Sequence, residues 1–168
     1  MKRDAHHALG TSVAVRYAVE ADQAAIVALV RSERLNPNDL HWARFVVASD
    51  GVALVGAVQL RPNSDGSHEL ASLVVRPHVR SRGVATRMVD LLTHGRRERL
   101  YAVTRRTNVP RFARWGFAPI DARDASRDVQ RRRILGQCAS ILALLSGQWP
   151  ARLVILERQH HLAPVIRR

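Results

Sequence analysis

The apolar positions of this chain change period several times, and each period predicts an element. Val13 to Tyr17 alternates with polar residues and reads as a strand. Asp22 caps a helix running to about Arg34, with Ala25, Ile26, Leu29 and Val30 on its apolar face. Leu35-Asn36-Pro37-Asn38 is a turn. Arg44 to Ala48 and Val52 to Leu60 are strands joined by the hairpin signal Ser49-Asp50-Gly51. Asn63-Ser64-Asp65-Gly66 makes a second hairpin turn and leads into a strand that begins at Glu69. Leu100 to Val103 is a buried strand, and Val109 to Trp115 a short helix with Pro110 in its first turn. Asp124 to Leu145 reads as a longer helix, broken at Gly147 and Pro150, and Arg152 to Arg158 as a last strand. Strands and helices in this mixture make an α/β chain with no internal repeat.

The segment from Glu69 to Leu92 is the most informative. Leu70, Ser72 and Val74 face one side of a buried strand, and Leu73 and Val75 the other. Pro77 ends the strand, because it brings no amide proton to the ladder. Gly83 allows a backbone to approach a ligand closely. Val84, Met88, Leu91 and Leu92 then recur at helical spacing, so a helix starts around Gly83. Its first amide protons have no intrahelical partner and carry the positive end of the helix dipole. With Arg80 and Arg82 beside them, they form a place where phosphate would bind. The same turn also fits an ordinary βα connection with solvated arginines.

Composition narrows the reading. At 168 residues the chain suits one domain with a real core. Residues 1–12 carry charge and histidines but no apolar stretch of the kind that directs secretion, and read as a flexible arm before one domain at 13–168. The longest apolar runs, Ile141 to Leu145 and Leu153 to Leu156, are too short to cross a bilayer. A single cysteine, Cys138, excludes an internal disulfide and fits a reducing, cytoplasmic setting. It falls in a helical pattern with Leu135, Ile141, Leu142 and Leu145 and reads as a small core residue. The net charge of +13 favours acidic ligands, of which coenzyme A and nucleic acid are both examples. Only Lys2 is lysine among the 27 basic residues, a bias that a GC-rich genome explains without a partner. No basic helix with interleaved aromatics argues for nucleic acid. Arg131-Arg132-Arg133 reads as a solvated helix face. His6-His7 and His160-His161 are too isolated to argue for metal.

Arg80-Ser81-Arg82-Gly83-Val84-Ala85 fits the Arg/Gln-x-x-Gly-x-Gly/Ala signature of the GCN5-related N-acetyltransferases (GNAT). Three further blocks resemble that family in its own order: Arg16 to Val30, the strands around Phe45 to Val58, and Asn108 to Phe117 with its closing Arg-Trp-Gly-Phe. The resemblance covers roughly residues 13 to 121. It implies a three-layer fold with a mixed, mostly antiparallel central sheet flanked by helices. It also implies acetyl transfer from acetyl-CoA to a primary amine by direct attack.

The resemblance implies a site as well. Backbone at Leu73, Val74 and Val75 would bond the pantetheine arm, the turn residues Arg80, Ser81, Arg82, Gly83, Val84 and Ala85 the pyrophosphate, and Asn108 the pantetheine. The amide of Val75 would donate to the thioester carbonyl. Glu69 is the candidate base, and alternation puts it on the side of Ala71, Leu73 and Val75. A solvent-facing strand-end carboxylate is the other reading of Glu69. His68 faces the opposite side, and Glu33 and His41 are secondary candidates. The family's usual tyrosine, which protonates the departing thiolate, is replaced by Phe112, which cannot donate a proton.

The acceptor is left open. Leu100 to Thr107 is similar to the acetyltransferase domain of amino-acid N-acetyltransferases, where an arginine would grip a substrate carboxylate. The helix and strand after Asp121 shape an acceptor pocket or a homodimer interface. Set against the enzyme is a basic, catalytically weak protein of the same fold that holds CoA, nucleic acid or a protein partner. Phe112 and the arginine excess are its support.

Overall fold

The computed structural model describes residues 12–33, 35, 36, 38–142 and 152–159. The histidine pairs, the breaks at Gly147 and Pro150 and nearly all of the N-terminal arm lie outside them. Seven strands are named in chain order: β1 Ala14–Tyr17, β2 Phe45–Ser49, β3 Leu54–Pro62, β4 His68–Val75, β5 Leu100–Arg105, β6 Phe117–Pro119 and β7 Leu153–Arg158. The helices are α1 Gln23–Ser32, α2 Val84–Thr93, α3 Val109–Ala113 and α4 Arg127–Leu142. The strands form one sheet in the order β1-β2-β3-β4-β5-β7-β6. Of the neighbouring pairs only β4 and β5 run parallel.

The sheet is covered on both faces. On one, α1 buries Ile26, Leu29 and Val30 against Phe45, Val47, Ala57 and Val74. Glu69 and Tyr101 are register partners, which puts α4 on that same face, because Val129 packs with Tyr101 and Ile155. On the other face, Val84, Met88, Val89 and Leu92 of α2 and Phe112 of α3 pack on Leu70, Leu100, Ala102 and Leu156. The fold is the expected three-layer α/β arrangement around a mixed, mostly antiparallel sheet.

Three local readings are corrected. Asp22 does not cap α1 through its side chain. Its carboxylate accepts the Val19 amide and a two-pronged bond from Arg16 (2.6 and 2.9 Å), so it fixes the entry to the helix from below. Cys138 is exposed, and Leu135 is exposed too, so the helical stripe they suggested is not a core face among the described residues. The three-residue strand β6 was not predicted; it is too short and too close to Pro119 to show a period.

A further correction concerns β4. Arg61 pairs with Glu69 and Gln59 with Ala71, but Ala57 pairs with Val74, so β4 carries one residue more than β3 over that stretch. The extra residue is accommodated at Ser72, whose φ is +54. Such a bulge reverses the side of every residue beyond it. Glu69 therefore shares a face with Ala71 and Val74. Leu73 and Val75 pack on the α2 side, not with Glu69 as strict alternation predicted.

Candidate active site

β4 and β5 pair only at His68–Leu100 and Glu69–Tyr101. Beyond Glu69 the two parallel strands part, and the sheet opens into a wedge with Glu69 and Tyr101 at its apex. The Arg76 amide donates to the Val55 carbonyl, on the β3 side. Successive strand amides point in opposite directions, so the Val75 N–H is turned toward the wedge. The bulge and the parting together turn backbone donors of β4 toward the opening between the strands.

At the open end of the wedge lies the basic turn. Ser81 has φ +63 and Gly83 φ +72. Two left-handed residues within four positions fold the amides inward as a nest, which receives anions. Gly83 is also the first residue before α2, so the unpaired amides of that helix join the nest. A Cβ on Gly83 would meet nothing within 4 Å, so glycine is needed there for its backbone angle and not for room. Arg82 is exposed. Arg80 is already occupied: its Nε donates to the Val75 carbonyl at 2.8 Å and its guanidinium pairs with Glu33 at 3.2 Å. It thus ties the strand end to the turn and to α1. Val84 is buried in the core, and Ala85 is partly buried against it.

The apex is highly charged. Glu69 is only 5% exposed, and Arg132 donates from one nitrogen to Glu69 Oε2 and to Asn63 Oδ1, each at 2.6 Å. Arg132 thus turns inward from α4, against the expectation of a solvated face for Arg131 to Arg133. Beside this pair lies Arg61, 8% exposed, whose guanidinium sits 3.3 Å from Asp39, which Arg44 also reaches at 2.7 Å. Burial lowers the pKa of Arg61, and the Glu69 carboxylate opposes that shift. On the same face the Gln59 amide donates to Ser72 Oγ at 3.0 Å, while its Oε1 is buried without a partner.

The remaining sequence candidates fall as follows. His68 faces the α2 side, where it lines a cavity of about 210 Å³ with Tyr17, Leu60 and Leu92. The His41 Nδ1 accepts the Ala43 amide, and its ring stacks on Trp42. Asn108 donates to Thr104 Oγ1 at 3.1 Å, which leaves its carbonyl oxygen free of that bond. Phe112 is 7% exposed and meets Trp115 and Phe117 edge to face, with ring centroids 5.3 and 5.9 Å apart. Arg61, Asp39 and Arg44 were not singled out from the sequence, and Arg132 was read there only as part of a solvated face. The signal that could have found them is Glu69 itself: a carboxylate inside an apolar strand needs a cation partner. Among the described residues no group of three or more His, Cys, Asp or Glu is placed to hold a metal ion. Among them, too, no helix is long and apolar enough to cross a membrane.

The model of the acetyltransferase (GNAT) family matches residues 13–117. The chain belongs to that family. Solved structures agree on the fold of this GNAT protein. N-acetylglutamate synthase from Neisseria gonorrhoeae, complexed with coenzyme A and L-arginine, superposes with a TM-score of 0.66 at 21% identity, covering 89% of this chain and 33% of that one. The GNAT chain therefore spans about a third of the length of that synthase. Rv2747 from Mycobacterium tuberculosis, in complex with CoA and NLQ, gives 0.64 at 20% identity, covering 88% of this chain and 99% of that one. Escherichia coli ElaA gives 0.58 at 11% identity over 88% of this chain and all of that one, 100%. No curated protein matches this GNAT sequence significantly.

Proposed function

We propose that this GNAT protein transfers an acetyl group from acetyl-CoA to a primary amine by direct attack. The observation that carries the proposal is the parting of β4 and β5 directly after Glu69, with the nest of Ser81 and Gly83 at the end of the same strand. A pantetheine arm fits the gap, and its pyrophosphate fits the nest. Two structural neighbours were crystallised with CoA, which supports the same cosubstrate here.

In this reading Leu73, Val74 and Val75 present backbone to the pantetheine, and Asn108 gives it a side-chain contact. The turn from Arg80 to Ala85 takes the phosphates, with Arg80 as brace and Arg82 as charge. The amine nitrogen attacks the thioester carbon. The carbonyl oxygen gains charge and is met by the Val75 N–H. The C–S bond then breaks and the thiolate leaves. Phe112 offers it no proton, but a thiol pKa near ~8.5 makes the anion a tolerable leaving group. Glu69, at the apex, receives the acceptor's proton through water.

Calorimetry with acetyl-CoA, followed by thiol release over a panel of primary amines, tests the proposal. Binding at micromolar or tighter affinity and amine-dependent thiol release are expected. Absence of acetyl-CoA binding sinks it.

A further inference from the structure

Three guanidinium groups meet carboxylates at the apex: Arg132 pairs with Glu69 and also feels Asp128 on its own helix, while Arg61 and Arg44 share Asp39. The Arg61 side chain is 10% exposed, and its Nε has no hydrogen-bond partner although Asp39 Oδ2 lies 3.3 Å away. The contact is therefore an ion pair whose N–H is not aligned with the oxygen. A buried donor left this way costs free energy until an acceptor arrives.

Asp39 is an unusual partner. Its side chain is half exposed at 51%, whereas the cations it serves are 10% and 33% exposed. It sits in the connection between α1 and β2, with φ +59, a left-handed angle that costs a non-glycine residue energy. The backbone is thus bent to bring a surface carboxylate down onto two guanidiniums. Arg61 stands opposite Glu69 in the register, at the point where β4 and β5 part. Along the same face, two residues toward the cofactor turn, Gln59 leaves its buried Oε1 unpartnered.

We infer that Arg61 and Arg44 form the receptor for a carboxylate carried by the amine acceptor, and that Asp39 fills it in the ligand-free protein. The inference rests on the acetyltransferase reading above and names the acceptor class within it: amines that also bear a carboxylate. Arg61 supplies the buried, directional donor. Asp39 is a tethered competitor that the acceptor must displace, so acceptor affinity is reduced by the fraction of molecules in which it is docked. The carboxylate end then lies at Arg61 and the amine end toward Gln59 and the bulge.

The test uses the full chain, acetyl-CoA and four primary amines: glutamate, glutamine, 4-aminobutyrate and butylamine. Carboxylate-bearing amines should be acetylated with kcat/KM about 10- to 100-fold above butylamine. Asp39→Asn keeps a residue that tolerates the left-handed angle and removes the competing charge. It should lower KM for the carboxylate-bearing amines severalfold, leaving KM for butylamine and acetyl-CoA unchanged. Arg61→Gln should raise KM for the same amines about 10- to 100-fold with little change in kcat. If Arg61→Gln does not fold, Asp39→Asn still decides. Butylamine acetylated as well as glutamate, or no KM change in Asp39→Asn, overturns the inference while leaving the acetyltransferase reading intact. Failure of that reading shows separately, as loss of acetyl-CoA binding or of thiol release with every amine.

Discussion

Glu69 on β4 and Arg132 on α4 meet at 2.6 Å, and the pair joins the last helix to the apex where the sheet opens. A helix outside the span matched by the family thus helps to build the candidate site. Removing the cation leaves a carboxylate with a 6% exposed side chain unpaired. Arg132→Met should therefore cost about 3–5 kcal/mol of stability, read by denaturant unfolding. A change below about 1 kcal/mol would show that water replaces the guanidinium and that the pair is not sealed.

Glu69→Gln separates base from brace. If Glu69 takes the proton, turnover should fall by about 10²–10⁴. Affinity for acetyl-CoA should hold, because the turn at Ser81 and Gly83 lies beyond the far end of the strand. Unaltered turnover across pH would remove Glu69 from the chemistry and leave it as the anchor of Arg132.

Gly83→Val tests the nest. There is room for a Cβ, but the residue must keep φ near +72. Holding valine in that region costs about 1–2 kcal/mol, so the turn should relax and lose its inward amides. CoA affinity should drop more than about tenfold, a loss of at least 1.4 kcal/mol, with the circular dichroism spectrum preserved. Equal affinity by calorimetry would move the phosphate site elsewhere.

Phe112→Tyr asks what the ring faces. Its edge-to-face contacts with Trp115 and Phe117 place it in an aromatic cluster beneath α3. A hydroxyl buried there without a partner should lower stability by about 1–3 kcal/mol and leave the acetylation rate per folded molecule unchanged. A faster rate would mean instead that the hydroxyl reaches the sulfur and that thiolate departure limits turnover.

Asp22 gives a pH signature. Its bond from Arg16 holds its pKa below the usual carboxylate value, against burial, which raises it. A lowered folded pKa adds stability above the unfolded value near ~3.9, and that stability is lost as pH falls through the folded pKa. Asp22→Asn should be less stable than the parent at pH 7, and the two should converge in acid. A constant difference down to pH 2 would show that the carboxylate stays paired or never mattered.

Much of this architecture was legible in the chain. Alternation at Val15 and Arg16, the Asn63 to Gly66 turn and the Val84, Met88, Leu92 spacing were enough to place strands, hairpin and α2, because burial on one face writes a period into sequence. The nest was legible for the same reason: Gly83 follows a strand and precedes a helix. The site's side chains were not. Nothing in Leu-Ala-Ser-Leu-Val announces an extra residue, since Ser72 is not a glycine and the apolar run continues through it. Nothing in Arg-Arg-Arg says which guanidinium turns inward; that depends on where α4 lands, a long-range fact. Leu135 and Cys138 show the converse, a helical stripe without the burial it suggested.

The extra residue at Ser72 works like a frameshift in three dimensions. Every position before it is read in one phase and every position after it in the other. Deleting a single residue from Ala71 to Leu73 would leave composition and charge almost untouched. It would also keep Val74 opposite Ala57, but it would take out the bulge, straighten β4 and remove the bend that sets this strand beside the gap. In this strand the count of residues carries as much information as their identity, and a length change of one there would be more damaging than most substitutions.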